Sequence, residues 1–200
     1  FMNPALAARA FLLASWGGAM TTFVEPGEAV HIFANADVLT SATPLAILKE
    51  GGSDLPSLWQ MFLGNIGGSM GETSALAILI GAAFLVYKKV ISLNTPLSFL
   101  LTLFVLGIIG GDNGLFHILS GGVMLGAFFM ATDYVTSPIT PKGKILFGIC
   151  CGILTGIFRT IGANAEGVSF AIILSNCLVP LIEKITIPTA FGVVKVKEGK

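Results

Sequence analysis

Residues 145–161 read ILFGICCGILTGIFRTI, and residues 168–182 read VSFAIILSNCLVPLI. The first stretch contains a single charged residue, Arg159, near its end, and the second contains none. A helix that crosses the hydrocarbon core of a bilayer needs about 17 to 25 predominantly apolar residues. The first stretch reaches this length with 17 residues and the second comes close to it with 15. The two stretches therefore predict two consecutive membrane-spanning helices.

The composition supports a membrane protein throughout the chain. Of the 200 residues, 54% are hydrophobic and only 11% are charged, whereas a soluble domain carries about 25% charged residues. This number of charged residues is too small to cover a water-facing surface. Most of the protein surface must therefore face lipid. The formal net charge is zero, which argues against a nucleic-acid partner.

The apolar pattern predicts an all-α integral membrane protein, a multi-span helical bundle in a single membrane domain over residues 1–200. Four further spans are predicted at residues 4–20, 73–87, 97–109 and 115–131. A polar segment, residues 21–71, follows the first span. Inside it, the apolar run at residues 58–63 is too short to cross a bilayer, so we expect this run to lie at the membrane interface or to form a re-entrant turn. We expect the chain to be the carboxyl-terminal part of a longer subunit.

The lysines indicate how the spans are oriented. When the spans are threaded alternately, one side receives most of the basic residues: Lys88, Lys89, Lys142, Lys144, Lys184, Lys195, Lys197 and Lys200. The positive-inside rule makes this side cytoplasmic. Segment 21–71, with five acidic residues and one lysine, is then predicted to be extracytoplasmic, in a bacterial or archaeal cytoplasmic membrane.

Cysteine, histidine and glycine favour structural roles. Cys150, Cys151 and Cys177 lie in apolar spans without metal-ligand spacing, and His31 and His117 have no second ligand at helical spacing, so no metal site is predicted. The spacing of Gly148, Gly152 and Gly156, and of Gly122 and Gly126, favours close helix–helix contacts in lipid.

Segment 21–71 also contains the motif that indicates chemistry, Asp37-Val38-Leu39-Thr40-Ser41-Ala42-Thr43-Pro44. Pro44 disfavours helix at Thr43 and so favours an extended or turn backbone with an accessible hydroxyl. An ordinary solvated loop is the alternative. The pattern resembles the flavinylation site of two related families, the D subunit of the Rnf electron-transport complex and the B subunit of the sodium-pumping NADH:quinone oxidoreductase. The resemblance implies FMN bound to Thr43 through a phosphoester. Asp37, Thr40, Ser41 and Ala42 complete the flavinylation motif, and Asp37 and Thr40 are the positions that a flavin transferase would recognise.

Three further blocks carry the same resemblance, and it leans towards the Rnf family. Each also has a simpler explanation, namely a helix-capping turn at Glu72 or Thr73, a water-facing helix end at Asp133, and an interfacial ion pair between Arg159 and Glu166. The blocks are residues 64–74 (GNIGGSMGETS), 130–138 (MATDYVTSP) and 158–171 (FRTIGANAEGVSFA). Tyr134 stands where these families usually have Pro.

From these blocks we take candidate flavin-binding residues and a second candidate group for another flavin or an ion path. The first group is Gly67, Gly68, Gly71, Glu72, Thr73, Arg159 and Glu166, and the second is Asp133 and Thr136. The resemblance implies electron transfer between ferredoxin and NAD coupled to Na⁺ or H⁺ translocation, a second noncovalent riboflavin, and partner subunits that carry flavins and iron–sulfur clusters. The alternatives are the B subunit of the quinone reductase, a flavin-free transporter with its substrate site at the glycine-rich segment, and a non-catalytic assembly scaffold.

Overall fold

The computed structural model describes residues 2–21, 43–49, 55–64, 66–69, 71, 73–111, 113–161 and 167–188. Within these residues every regular element is helical and no β-strand occurs. The elements are α1 (Pro4–Ser15), α2 (Gly17–Met20), α3 (Pro44–Lys49), α4 (Leu58–Leu63), α5 (Ala75–Tyr87), α6 (Asn94–Ile109), α7 (Gly114–Leu119), α8 (Val123–Leu125), a π-helical segment (Gly126–Met130), α9 (Pro141–Ile161) and α10 (Val168–Thr186). The prediction of an all-α fold is confirmed for this part of the chain.

Two of the described helices, α9 and α10, are long and apolar enough to cross a membrane, and α1, α5 and α6 are shorter apolar helices. Helices α9 and α10 cover the last two predicted spans, although α9 begins earlier than predicted, at Pro141, and α10 continues to Thr186 past Pro180. The run at residues 58–63 is a separate short helix, α4. A capping box at Ser57 stabilises its amino-terminal end, and Gly64, in the left-handed region, ends it.

The glycines of α9 form the contact between α9 and α6. A Cβ added to Gly152 would come within 2.7 Å of Thr102, and one added to Gly156 within 2.8 Å of the Leu106 side chain. Small residues at this spacing let two helix backbones approach closely, so the predicted helix–helix contact is confirmed here. Phe99, Leu103, Phe147 and Cys151 are buried on either side of the same seam.

The fourth predicted span, residues 115–131, is not one helix. Helix α7 ends at Leu119, Ser120 has an extended backbone, and Gly121 lies in the left-handed region at φ 64°. Helical structure resumes with α8 and continues as the π-helical segment to Met130. The first predicted span, residues 4–20, is also interrupted, because Trp16 leaves the helical region between α1 and α2.

Candidate functional site

Thr43 lies immediately before α3 and acts as its amino-terminal cap. Its Oγ1 accepts a hydrogen bond from the Ala46 amide at 3.3 Å, and its carbonyl oxygen accepts from Ala46 and Ile47 at 2.9 and 3.1 Å. Threonine is a favoured residue at this position, and proline is favoured directly after it. The prediction that Pro44 keeps Thr43 out of the helix is confirmed. Thr43 is half-buried, and its Oγ1 is bonded as an acceptor.

Helix α3 is held by a small apolar cluster that connects it to three other parts of the chain. Leu45 of α3 is buried with Met61 of α4, Ile66 of the glycine-rich segment and Phe116 of α7. This cluster places the start of α3, and with it Thr43, beside the glycine-rich segment and the amino-terminal half of the broken fourth span.

The glycine-rich segment enters α5 through Ser74, whose Oγ accepts from the Ala77 amide at 3.3 Å. Ser74 is therefore the cap of α5, and the alternative that Thr73 caps this helix is wrong; Glu72 lies outside the described residues. Gly67 is buried, and Gly68 and Thr73 are half-buried. Gly71 has φ 91°, in the left-handed region that favours glycine, and a Cβ there would meet the Leu125 side chain at 3.4 Å.

Arg159 binds the carboxyl-terminal end of α7. Its Nη1 donates to the carbonyl oxygen of His117 at 2.6 Å, and its Nη2 donates to that of Ser120 at 2.7 Å. The last carbonyl groups of a helix have no partner within the helix, and the helix dipole makes that end negative. The guanidinium therefore stabilises the break in the fourth span. Gly121 provides room for it, since a Cβ at Gly121 would lie 3.3 Å from Nη2.

A cavity of about 290 Å³ lies beside Arg159, between α6 and α9. Aliphatic side chains and glycines make up most of its wall, and His117, Arg159 and Thr160 provide its polar groups. The cavity is thus an apolar cleft with its polar groups close to the helix break.

Asp133 and Thr136 occupy one turn between the π-helical segment and α9. Thr136 Oγ1 donates to Asp133 Oδ2 at 3.0 Å, and Thr136 is buried while Asp133 is half-buried. Tyr134, between them, donates a hydrogen bond from its hydroxyl to the Val90 carbonyl oxygen, which joins this turn to the connection between α5 and α6.

A buried amide, Asn176 of α10, sits next to this turn and was not identified from the sequence. The side-chain amide of Asn176 is oriented to suit its neighbours. Its Nδ2 donates to the Thr136 carbonyl oxygen at 3.3 Å, and its Oδ1 accepts from the backbone N–H of Asn3 at 3.2 Å. Asn3 caps α1 through Oδ1 and donates from Nδ2 to the Met130 carbonyl oxygen at 3.4 Å. Asn176 therefore connects α10 with the turn at Thr136 and with the start of α1, and Asn3 in turn contacts the π-helical segment.

The remaining sequence-predicted site residues lie outside the described residues. These are Asp37, Thr40, Ser41, Ala42, Glu72 and Glu166. Of those that are described, the structure brings Thr43 and the glycine-rich segment together through the Leu45 cluster, and it places Arg159 on the neighbouring α7. Asp133 and Thr136 lie apart from these, in the turn before α9.

Comparison with protein families matches residues 1–192 to the NQR2, RnfD, RnfE family. The chain belongs to this family. Among its relatives, the D subunit of the Na⁺-translocating ferredoxin:NAD⁺ oxidoreductase complex of Acetobacterium woodii is 48% identical over 99% of this chain and 61% of the relative. The D subunit of the proton-translocating complex of Clostridium ljungdahlii is 42% identical over 95% of the chain and 61% of the relative. The D subunit of the ion-translocating oxidoreductase complex of Stutzerimonas stutzeri is 40% identical, again over 95% of the chain, and 63% of the relative is covered.

These relatives confirm the resemblance to the D subunit of the Rnf complex. Membership of the NQR2, RnfD, RnfE family, together with the apolar helices, also establishes a membrane location. The chain spans somewhat over three fifths of the length of the curated relatives that it matches.

Proposed function

We propose that this chain acts as the D subunit of an ion-translocating ferredoxin:NAD⁺ oxidoreductase complex, and that it carries FMN esterified to Thr43. The relatives named above are subunits of such complexes, translocating Na⁺ in one case and protons in another. In this proposal the chain passes electrons through the bound flavin, and the complex couples their transfer to movement of Na⁺ or H⁺ across the membrane. Bound flavin exchanges one or two electrons, while the protein determines its position and environment.

The observation that carries the proposal is the placement of Thr43. Its motif, residues 37–43, resembles the flavinylation pattern, and Thr43 lies directly before α3 as its amino-terminal cap. The Ala46 amide occupies only one lone pair of Oγ1, so the oxygen can form a phosphoester in place of its O–H bond. The residues present therefore fit the group that the motif implies.

The surroundings of Thr43 suit a bound flavin in a second respect. The Leu45 cluster holds α3 against Ile66, which is directly followed by Gly67 and Gly68. Glycine lets a backbone approach a planar ligand closely, because no Cβ occupies the space. We propose that Gly67, Gly68, Gly71, Glu72 and Thr73 line the flavin on this side. For Arg159 and Glu166 a flavin contact stays a prediction, and the two carbonyl bonds of Arg159 are an additional, structural role.

The proposal includes an arrangement in the membrane and a set of partners. Thr43 lies on the extracytoplasmic side, where a flavin transferase modifies it, and other subunits supply the iron–sulfur clusters, further flavins and the nicotinamide site. A noncovalent riboflavin near Asp133 and Thr136, on the cytoplasmic side, completes the set of cofactors that the family resemblance implies.

Thr43→Ala tests the covalent flavin directly. The full-length protein should lose all in-gel flavin fluorescence after denaturing electrophoresis, because no other oxygen replaces the ester position. Thr43→Ser, which keeps a hydroxyl, should retain fluorescence. In the wild-type protein, the mass of the peptide containing residue 43 should exceed its sequence mass by the mass of FMN less one water. Thr21→Ala is the matched control, since Thr21 is an exposed threonine of the same predicted extracytoplasmic segment. Persistent fluorescence in Thr43→Ala would exclude Thr43 as the attachment site.

A flavin-free transporter is the second candidate, and the break in the fourth span favours it. Discontinuous membrane helices often mark substrate or ion sites in transporters, and α7 and α8 are separated by Ser120, Gly121 and Gly122. The absence of any flavin on the denatured wild-type protein would select this candidate.

A further inference from the structure

A small polar cleft lies at the end of the bundle where α5 ends and α9 begins. Its volume is about 150 Å³, and its walls come from the α5–α6 connection, the start of α6, the turn before α9 and the first turn of α9. We propose that this cleft binds the phosphate group of an anionic phospholipid. The proposal goes beyond the flavin function and does not depend on it. The polar residues that line the cleft are Lys144 and a set with hydroxyl groups, namely Ser92, Thr95, Thr132, Tyr134 and Ser137.

The charge of the cleft favours an anion. Lys144 is half-buried there, and among the described residues no acidic side chain lines the cleft. The nearest carboxylates in sequence and structure are bonded outside it. Asp133 accepts from Thr136 Oγ1 at 3.0 Å, and Glu183 accepts from the backbone N–H of Ile139 at 3.2 Å. An anion in the cleft therefore meets the ammonium group of Lys144 without a competing carboxylate in the lining.

The hydroxyl groups suit the oxygens of a phosphate. Thr95 is only 1% exposed and lines the cleft, and within the described part of the chain its hydroxyl has no hydrogen-bond partner. The same holds for the half-buried hydroxyls of Ser92 and Ser137. The hydroxyls of Thr132 and Tyr134, by contrast, donate to the carbonyl oxygens of Phe128 and Val90. Since buried polar groups normally have a partner, the Thr95 hydroxyl indicates an acceptor that the cleft receives from outside.

The start of α6 adds positive partial charge to the same place. Helix α6 has 16 residues and begins at Asn94, and the residue before it, Leu93, provides no side-chain cap. The first amide groups of a helix lack partners within the helix, and the helix dipole makes this end positive. Thr95 belongs to this first turn, just as Lys144 belongs to the first turn of α9. The cleft thus lies where two helices of the bundle begin.

The size of the cleft distinguishes it from a second flavin site. Pockets for organic ligands have typical volumes of about 300–1,000 Å³, twice the volume of this cleft or more. Asp133 and Thr136, the candidates for another flavin or an ion path, do not line it. A phosphate group is small enough for such a space, whereas a flavin ring system is not.

The position of the cleft favours a phosphate that belongs to a lipid. Helix α9, which is long and apolar enough to cross a membrane, begins here at Pro141. Apolar residues continue the wall beyond the polar groups, and one of them, Ile139, is 79% exposed. This is also the end of the bundle that the lysines predict to be cytoplasmic. Basic pockets between membrane helices on that side are typical sites for anionic lipid headgroups.

Photo-crosslinking to a lipid of defined headgroup tests the site. The assembled complex with full-length Ile139→p-benzoylphenylalanine protein is purified in detergent, supplied with phosphatidylglycerol below saturation and irradiated. The peptide that contains residue 139 should carry a phosphatidylglycerol adduct. Lys144→Gln in the same background should lower the adduct yield at least about tenfold, because a hydrogen bond from a charged group is lost. Lys142→Gln is the matched control, an exposed lysine that does not line the cleft. Its yield should stay within about twofold of the parent at about 0.15 M salt, which screens diffuse attraction.

Several results would overturn the proposal. Equal yields for Lys144→Gln and Lys142→Gln would leave only diffuse attraction to a basic surface, and an equal yield with zwitterionic phosphatidylcholine would leave only apolar contact. Loss of the adduct in millimolar inorganic phosphate at constant ionic strength would assign the cleft to free phosphate, and the absence of any adduct would exclude the lipid. If Lys144→Gln prevents assembly, Ser137→Ala carries the test with a several-fold lower yield expected. The adduct should persist in a Thr43→Ala background, so its loss and the loss of flavin are separate results.

Discussion

Replacing Arg159 by Gln should destabilise the protein strongly, because a shorter neutral side chain replaces the cation shared by two carbonyl groups. The bonds to His117 and Ser120 are 2.6 and 2.7 Å long, within the range of charge-assisted hydrogen bonds. A hydrogen bond to a charged group contributes about 1.5–3 kcal/mol. Loss of both should therefore lower the free energy of unfolding by roughly 3–6 kcal/mol, since α7 ends where water does not readily replace the cation.

Arg159→Lys should give an intermediate result. Lysine keeps the charge but offers a single ammonium point, whereas the planar guanidinium donates to both carbonyl groups at once. We expect about half the loss seen for Gln.

Thermal unfolding of the purified full-length protein measures both variants. About 1 kcal/mol corresponds to a shift of roughly 2–4 °C for 150–250 residues and to less for a longer chain, so Arg159→Gln should melt several degrees below the parent. Lys184→Gln, an exposed cation near the end of α10, is the matched control and should melt with the parent. A melting temperature for Arg159→Gln within about 1 °C of the parent would refute the role assigned to Arg159 at the helix break.

Three further predictions concern other parts of the chain. Asn176→Leu should lower the free energy of unfolding by about 2–5 kcal/mol, because the Thr136 carbonyl oxygen and the Asn3 backbone N–H lose their buried partner. Cys177→Ser, at an exposed neighbour on α10, is the control, and equal melting curves for the two variants would contradict this role of Asn176. Gly68→Val should leave in-gel flavin fluorescence intact but impair flavin reduction, since the added side chain fills the close approach; an unchanged redox titration and electron-transfer rate would limit Gly68 to a structural turn. Single cysteines at Ser53 and Lys142 should react with an impermeant thiol reagent from opposite sides of the membrane, and equal labelling of both from outside would overturn the predicted orientation.

Apolar periods and lysine positions were sufficient to predict the helical class and the last two long helices. They failed at residues 115–131, where every side chain except His117 and Ser120 is apolar or glycine and hydropathy alone indicates one span. The sequence feature that marks the break is Ser120-Gly121-Gly122, three poor helix formers in succession. Because Gly122 and Gly126 are four residues apart, we interpreted these glycines as a helix-packing motif. Thr43 could be predicted because its signal is local, a short motif followed by proline.

Arg159 and Asn176 show why the rest of the site could not be predicted. Each acts on backbone groups far away in sequence: Arg159 on residues 39 and 42 positions earlier, and Asn176 on Thr136 and Asn3. A sequence reveals a charged or amide side chain in an apolar helix, and it suggests that such a residue has a partner. It does not reveal a backbone carbonyl as that partner, because every residue carries one.

The partners of Arg159 also connect the helix break to the glycine seam. Gly156 lies one turn before Arg159 on α9 and packs α9 directly on Leu106 of α6, while α7 packs on the same helix, since a Cβ at Gly114 would come within 2.7 Å of the Phe104 side chain. Arg159 thus closes a triangle of α6, α7 and α9, two sides of which are glycine contacts and the third a pair of hydrogen bonds. Closely packed contacts of this kind do not deform gradually. A displacement of α9 along α6 that left α7 in place would therefore withdraw the guanidinium from the carbonyl groups of α7 and break both charge-assisted hydrogen bonds.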